Sequence, residues 1–282
     1  MIVFFDGQFL PKDEVRISPD DRGFLLADGA YEVVRVYQGR PFLMDEHLRR
    51  LRYSLGEVRI SLPQVEEVPG VARELIRRND LAQGEASIYI QVTRGVAPRK
   101  HAFPAEPTAA TLYVTASPFV PRPEKWEKGV SVVLVPDTRW ARCDIKSLAL
   151  LPNVLASQAA AEQGAEEAVF VRDGLLTEGA HTNVCAVLDG VLFTHPATHR
   201  ILAGITRGLV LKLCAELGIP YREEAVGADA LTAASEAMIL GTTTEIMPVI
   251  EVDCRPVGDG RPGPVTRRLQ GAFRALVEQA LH

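Results

Sequence analysis

Residues 117–123 read Ser-Pro-Phe-Val-Pro-Arg-Pro, and three prolines in seven residues forbid both a central strand and a helix interior. Each proline lacks the N–H that a ladder or a helix requires, and each holds the preceding residue in extended backbone. Residues 118–123 are therefore the expected linker, with one domain over 1–117 and a second over 124–282. A chain of 282 residues is long enough for two such domains, each burying its own core.

Strand and helix patterns alternate on both sides of this break. Segment 31–37 (YEVVRVY) is rich in β-branched and aromatic residues, and Gln38-Gly39 forms a turn before 40–44, which predicts a hairpin. Asp45 is the expected cap of a following helix, in which Leu48, Leu51 and Leu55 share a face. Arg49, Arg50 and Arg52 lie on its other faces, and one of them is available to turn inward. A second helix is expected over 64–78, and strands over 86–93 and 110–115. Beyond the break, strands are expected at 130–135, 167–171 and 183–188, and helices at 152–163, 204–218 and 265–281. In 204–218, Ile205, Leu209, Val210, Leu213, Cys214 and Leu217 make one apolar face.

Composition narrows the function classes. With 47% hydrophobic and 24% charged residues the chain reads as a packed globular protein. A net charge of -5 provides no basic excess to neutralise a row of phosphates, so small molecules and not nucleic acids are the expected partners. The opening Met1-Ile2-Val3-Phe4-Phe5-Asp6-Gly7 lacks a basic region and breaks at Asp6, as a first strand would and a signal peptide would not. No later run is apolar and long enough to span a bilayer, so no membrane association is expected. Cys143, Cys185, Cys214 and Cys254 are scattered without a CxxC pair, which argues against a zinc site and a disulfide framework and fits a cytoplasmic location. His195 and His199 have the spacing of a metal pair, but Pro196 opposes a helix there and no acidic residue of an HExxH pattern intervenes, so no metal is expected.

Several residues carry potential chemistry, and each also has a plain structural explanation. Lys146 lies in the mostly apolar stretch Cys143-Asp144-Ile145-Lys146-Ser147-Leu148-Ala149-Leu150-Leu151. Its stem either buries while its head reaches water, or burial keeps the amine neutral, nucleophilic and able to form an imine. Glu178, after the Asp173-Gly174 turn, is either a solvated strand end or a buried carboxylate able to hold a pyridine nitrogen protonated. Gly204-Ile205-Thr206-Arg207 opens a helix whose first amides suit an anion, and Gly241-Thr242-Thr243-Thr244 is a second cluster of small hydroxyl residues. Either is also an ordinary helix start or turn. The loop Arg94-Gly95-Val96-Ala97-Pro98-Arg99-Lys100-His101 is either a solvated basic loop or one in which Arg99 and His101 jointly grip a carboxylate.

Taken together these residues resemble the class IV pyridoxal-phosphate (PLP) aminotransferases, the family of D-amino acid aminotransferase, branched-chain aminotransferase and aminodeoxychorismate lyase. Glu178-Gly179-Ala180, Asn183-Val184, Leu192-Phe193-Thr194 and Leu202-Ala203-Gly204-Ile205-Thr206-Arg207 follow the family signature in order and spacing. Cys185 departs from it where an aromatic residue is usual. Four further blocks are most similar to the D-amino acid branch, from Asp28-Gly29-Ala30-Tyr31-Glu32-Val33-Val34 through Glu46-His47-Leu48 and Gln91-Val92-Thr93-Arg94-Gly95 to Arg142-Cys143-Asp144-Ile145-Lys146-Ser147-Leu148.

The resemblance implies an α+β, two-domain PLP fold type IV, with a smaller N-terminal α/β domain and a larger C-terminal pseudo-barrel domain. It implies transamination between a D-amino acid and a 2-oxo acid, with the branched-chain L-amino acid aminotransferase, (R)-amine transaminase and aminodeoxychorismate lyase as alternatives. Lys146 then carries pyridoxal 5'-phosphate as a Schiff base and acts as the catalytic base, and Glu178 pairs with the pyridine nitrogen. Arg50, the amides of Ile205 and Thr206, and Thr242 hold the phosphate, and Leu202 packs on the ring. Tyr31, Arg99 and His101 match the substrate-carboxylate trap, and the assembly implied is a homodimer. Ala180 and His181 replace small hydroxyl residues of that branch and Gly241 replaces a serine, so cofactor hydrogen bonding and pocket shape are expected to differ there.

Overall fold

Alternating burial along single strands builds the first sheet. The computed structural model describes residues 1–281. The chain divides into two units, Met1–Pro121 with Ile145–Ala149, and Arg122–Asp144 with Leu150–Ala280. The first contains β1 (Ile2–Phe5), β2 (Gln8–Pro11), α1 (Arg22–Leu26), β3 (Gly29–Tyr37), β4 (Arg40–Pro41), α2 (Met44–Glu57), α3 (Val68–Arg78), β5 (Glu85–Thr93) and β6 (Thr111–Pro118). Its six strands are antiparallel in the order β2-β1-β6-β5-β3-β4. Ala86, Ile88, Ile90 and Val92 of β5 are fully buried while Ser87, Tyr89 and Gln91 between them are only half-buried. The buried positions meet Leu48, Leu51 and Leu55 of α2 and Val68, Val71, Ala72 and Leu75 of α3 in one apolar core. Each of the leucines, isoleucines and valines contributes about 1.5–3 kcal/mol by leaving water, which is what fixes the helices to that face.

Three local expectations change. The helix expected over 64–78 opens with a 3-10 turn at Pro63–Glu67 and becomes α-helical only at Val68. Helix α2 begins at Met44, with Leu43 in the left-handed region as its cap, so Asp45 sits inside the first turn and stabilises it through the helix dipole. The short β4 and the bond from the Phe42 amide to the Arg35 carbonyl (2.8 Å) bring the chain to the helix two residues early. Strand β6 continues through Ser117 and Pro118, into the proline-rich break. Its partner β1 reaches only Tyr113 and Val114, so at Pro118 that edge of β6 is open and the missing N–H breaks no ladder bond. Pro123, the last proline of the break, serves as the opening of a helix, where its missing N–H is harmless.

The second unit contains α4 (Pro123–Lys128), β7 (Val130–Pro136), α5 (Leu151–Glu162), β8 (Glu167–Arg172), β9 (Leu175–Gly179), β10 (Asn183–Leu188), β11 (Val191–Thr194), α6 (Ile205–Leu217), β12 (Tyr221–Glu223), α7 (Ala228–Ala233), β13 (Glu236–Gly241), β14 (Glu245–Val252), β15 (Arg255–Pro256) and α8 (Pro264–Ala280). Strands run in the order β12-β11-β10-β13-β14-β7-β8-β9, and β9 pairs in turn with β10. Six strands thereby close a ring, the larger pseudo-barrel of fold type IV. Val132, Val169, Leu176, Ala186, Ile239 and Val249, from all six strands, belong to one core. Among the described residues no helix is long and apolar enough to cross a membrane.

Candidate active site

Lys146 is placed by its own backbone. The Tyr31 amide donates to the Lys146 carbonyl (3.0 Å), the Leu148 amide to the Gly29 carbonyl (3.1 Å), and the Lys146 amide to Ser54 Oγ on α2 (3.1 Å). A Cβ at Gly29 would lie 2.4 Å from the Val92 carbonyl oxygen and 2.7 Å from Leu148, so only glycine admits this approach. The Lys146 Nζ stands 4.3 Å from the centre of the half-buried Tyr31 ring, a cation–π contact that places the amine over that ring.

One residue further along β3, Glu32 turns to the opposite face and is wholly buried. Arg50 grips it with Nε (2.7 Å) and Nη2 (3.0 Å), and His47 Nδ1 lies 2.8 Å from Oε2. Burial raises the Glu32 carboxyl, but the Arg50 charge and the bonds from His47 and Arg50 outweigh it and lower the carboxyl to about 2. The ionised carboxylate only accepts, so Nδ1 of His47 carries the proton and donates it. Burial also lowers His47 below its ordinary value, assisted by the positive charges of Arg50 and Lys146, and keeps it neutral near pH 7. Arg50, of the three arginines on α2, is the one that faces inward. Arg99 and His101 lie exposed on the loop after β5, and no hydrogen bond or ion pair among the described residues joins either to Tyr31.

Glu178 of β9 is buried at the point where the ring of strands closes, its register partner being Asn183. Asn183 Nδ2 donates to Glu178 Oε2 (3.1 Å) and to the Leu202 carbonyl (2.9 Å), and the Leu202 amide donates to the same Oε2 (3.0 Å). Arg139 pairs with the other oxygen while holding Asp137 through Nε and Nη2, and its guanidinium stacks 4.3 Å from the centre of Phe170. These partners are all donors, as the anionic carboxylate requires. The turn after Glu178 is held by Glu167, wholly buried, which accepts from the amides of Ala180 and His181 and from Thr182 Oγ1.

Helix α6 opens beside this carboxylate. Its cap Gly204 provides no side chain to occupy the first-turn amides, and a Cβ there would fall 1.9 Å from Asn183 Oδ1. Thr206 in that turn is buried, and Leu202 and Ile205 are half-buried. Thr242 sits in the tight turn joining β13 to β14, directly after the segment in which Leu240 pairs with Asn183. Asn183 thus gathers Glu178, Leu202, the start of α6 and the strand leading to Thr242 around one side chain and its backbone.

The model of the amino-transferase class IV family matches residues 29–252. The chain belongs to that family. It is 45% identical to a D-alanine aminotransferase of Bacillus licheniformis, over 97% of this chain and 96% of that one. It is 41% identical to a D-alanine aminotransferase of Staphylococcus haemolyticus, over 98% of both. The solved branched-chain amino acid aminotransferase of Escherichia coli superimposes with a TM-score of 0.90 at 30% identity, covering 98% of this chain and 94% of that chain. Class IV aminotransferases use PLP, and this chain is a PLP-dependent aminotransferase.

The residues present in this class IV aminotransferase suit that cofactor. A buried anionic carboxylate with fixed donors, a helix start whose cap must be glycine, and a lysine held by backbone bonds on both flanks are the groups that a phosphorylated pyridine aldehyde requires. Reading the sequence did not single out Glu32, His47, Arg139, Asn183 or Glu167 for these tasks. For Glu32 a signal was present, because Glu32, Val34 and Val36 alternate onto the apolar face of β3, where a carboxylate needs partners. Glu32→Gln leaves Arg50 and His47 without their anion and should destabilise the aminotransferase at pH 7 by about 3–5 kcal/mol. Because the folded carboxyl lies near 2 and the ordinary value is 4.5, its stabilisation is complete above pH 4.5 and is lost as pH falls toward 2. Urea unfolding from pH 7 downward should show that acid-side loss in the wild type and a shallower one in the variant.

Proposed function

We propose that this enzyme transfers the amino group of a D-amino acid, with D-alanine as a principal donor, to a 2-oxo acid. The observation that carries the reading is identity of 39–45% with D-alanine aminotransferases over 97–98% of this chain. The solved branched-chain enzymes share the architecture at lower identity, 26–30%.

Bound PLP supplies an electron-withdrawing ring that stabilises negative charge at the substrate α-carbon. Lys146 would hold the cofactor through Nζ and would move the proton at the substrate α-carbon. The contact with Tyr31 orients that amine. Glu178 would keep the ring nitrogen protonated, and Arg139, Asn183 and the Leu202 amide, which donate to it, hold its carboxylate in place for that task. Arg50, oriented by Glu32, the amides of Ile205 and Thr206, and the hydroxyl of Thr242 would be the groups that hold the phosphate. Leu202 would pack against the ring. Tyr31, Arg99 and His101 take the substrate carboxylate, and where the carboxylate is held decides which hand presents its α-hydrogen to Lys146.

The enzyme works as a homodimer in the cytoplasm on this reading. Leu151, Val154 and Leu155 form an exposed apolar strip on α5 of the kind a subunit boundary covers, and the four cysteines are free thiols.

D-alanine and L-alanine, each offered with 2-oxoglutarate, test the reading. The D isomer should react and the L isomer should not, and Lys146→Ala should abolish turnover while circular dichroism shows the fold retained. A wild type that prefers L-alanine would remove the D-specific assignment. Arg99→Ala should cost the D-alanine reaction about 1.5–3 kcal/mol in kcat/KM, the size of one charged hydrogen bond, and should affect an amine without a carboxylate far less. Sedimentation at assay concentrations should give a dimer, and a fully active monomer would overturn that part.

A further inference from the structure

The loop that carries Arg99 and His101 is tied to the first unit by a buried charge cluster that the reaction itself does not use. Arg94, the first residue after β5, is buried and grips Asp28 with Nε (2.7 Å) and Nη2 (2.9 Å) while donating to the carbonyls of Val58 (2.7 Å) and Arg59 (2.9 Å). Asp28 also accepts from Nε of Arg22 (2.8 Å), whose side chain is only 3% exposed. Burial raises the Asp28 carboxyl, and the bonds and charges of Arg94 and Arg22 outweigh it and hold it low. One carboxylate thus meets two guanidiniums, and the remaining donors of Arg22 need other acceptors.

Those acceptors are loop carbonyls. Nη1 of Arg22 donates to the carbonyl of Lys100 (2.6 Å) and lies 3.4 Å from that of Ala102. Lys100 stands between Arg99 and His101, so the strap grips the main chain at the residue that separates the two. The near end of the loop is fixed as well. The Arg22 amide donates to the Gly95 carbonyl (2.9 Å) and the Ala97 amide to the Asp20 carbonyl (3.2 Å). Gly95 turns the chain at φ +92, where a Cβ would lie 1.9 Å from the Ala109 carbonyl oxygen. At the far end Phe103, although 45% exposed, lies 3.7 Å from the Arg94 guanidinium and 4.9 Å from that of Arg59. Asp28 is also the residue from which β3 sets out toward Tyr31, so one short stretch fixes the anchor of the strap and Tyr31 together.

We infer that Arg22, backed by Asp28 and Arg94 and helped by Phe103, is a positioning residue that holds residues 95–103 in the conformation in which Arg99 and His101 receive the substrate carboxylate. This rests on the assignment of Arg99 and His101 made above. Detaching the loop would leave Nη1 of a buried guanidinium without its carbonyl acceptors, so the strap favours one loop conformation before substrate arrives, and binding then needs no ordering of the loop.

The test compares holoenzyme of the wild type, Arg22→Met, Arg22→Lys, Phe103→Ala, Arg99→Ala and the Arg22→Met/Arg99→Ala double variant. KM and kcat for D-alanine are measured with 2-oxoglutarate, and bound PLP by absorbance. Arg22→Met should raise KM for D-alanine about tenfold, with kcat within about twofold and PLP content unchanged, because the loop is loosened while the chemistry is untouched. Phe103→Ala, at an exposed position that does not endanger folding, should raise KM about threefold, and Arg22→Lys should restore part of the loss. In the Arg99→Ala background Arg22→Met should add nothing, since it acts through the residue already removed. If Arg99→Ala raises KM while Arg22→Met and Phe103→Ala leave it unchanged, the positioning role is overturned and the carboxylate assignment stands. Additive losses in the double variant, or a fall in kcat and PLP content in place of a rise in KM, overturn it equally. An unchanged KM in Arg99→Ala removes the assignment beneath it, and the inference with it.

Discussion

A ring of six strands closes only where β9 meets β10, and they meet at one register pair, Glu178 with Asn183. The second unit depends on that contact for the closure of its barrel and for the burial of a carboxylate. Asn183 donates to the carboxylate of Glu178 and to the carbonyl of Leu202, and its Oδ1 lies where any side chain at Gly204 would have to go. Closing the barrel therefore brings a buried carboxylate, the stretch that covers it and an uncapped helix start to one place. Arg139 makes the burial tolerable by neutralising Glu178, and Asp137 in turn holds Arg139.

The first unit solves the same problem of buried charge by sharing. Glu32 serves Arg50 and His47, and Asp28 serves Arg22 and Arg94. In each cluster a guanidinium is oriented by a carboxylate that is itself largely shielded from solvent. The two clusters differ in what they aim. The first fixes a side chain, Arg50, and the second fixes a stretch of main chain around Lys100.

The departures of this chain from the D-amino acid branch find a local explanation at the 180–182 turn. Glu167 accepts from the Ala180 and His181 amides and from Thr182 Oγ1, and His181 Nδ1 lies 2.8 Å from it. The turn is held through main-chain amides, the Thr182 hydroxyl and an imidazole, so hydroxyls at 180 and 181 are not needed to hold it. Cys185 is fully buried in β10, and burial pushes its thiol up to about 12, which makes it a small apolar core residue where the family has an aromatic one.

Periodicity and turn residues determined most of the elements by themselves. Strand β10 spans 183–188 as expected, α6 runs from the glycine cap at 204 to the left-handed glycine at 218, and β5 differs from its expected span by one residue. These were legible because each is specified by residues a few positions apart. Glycine alone tolerates the left-handed end of α6, and only alternation suits a half-covered strand. The order of Lys146, Glu178 and the Gly204–Arg207 start was legible too, as a linear pattern resembling a family. What the sequence could not determine was anything set by long-range pairing. The ring closure joins β9 to a partner chosen by the whole path of strands, the end of β6 tolerates Pro118 only because β1 is short, and Arg94 is buried only because Asp28 lies beside it. Whether a charged residue is solvated or buried and paired depends on groups well beyond the reach of a local pattern, such as Glu32 with Arg50 or Arg22 with Lys100. A local pattern carries no record of those distances, and the tertiary structure alone decides them.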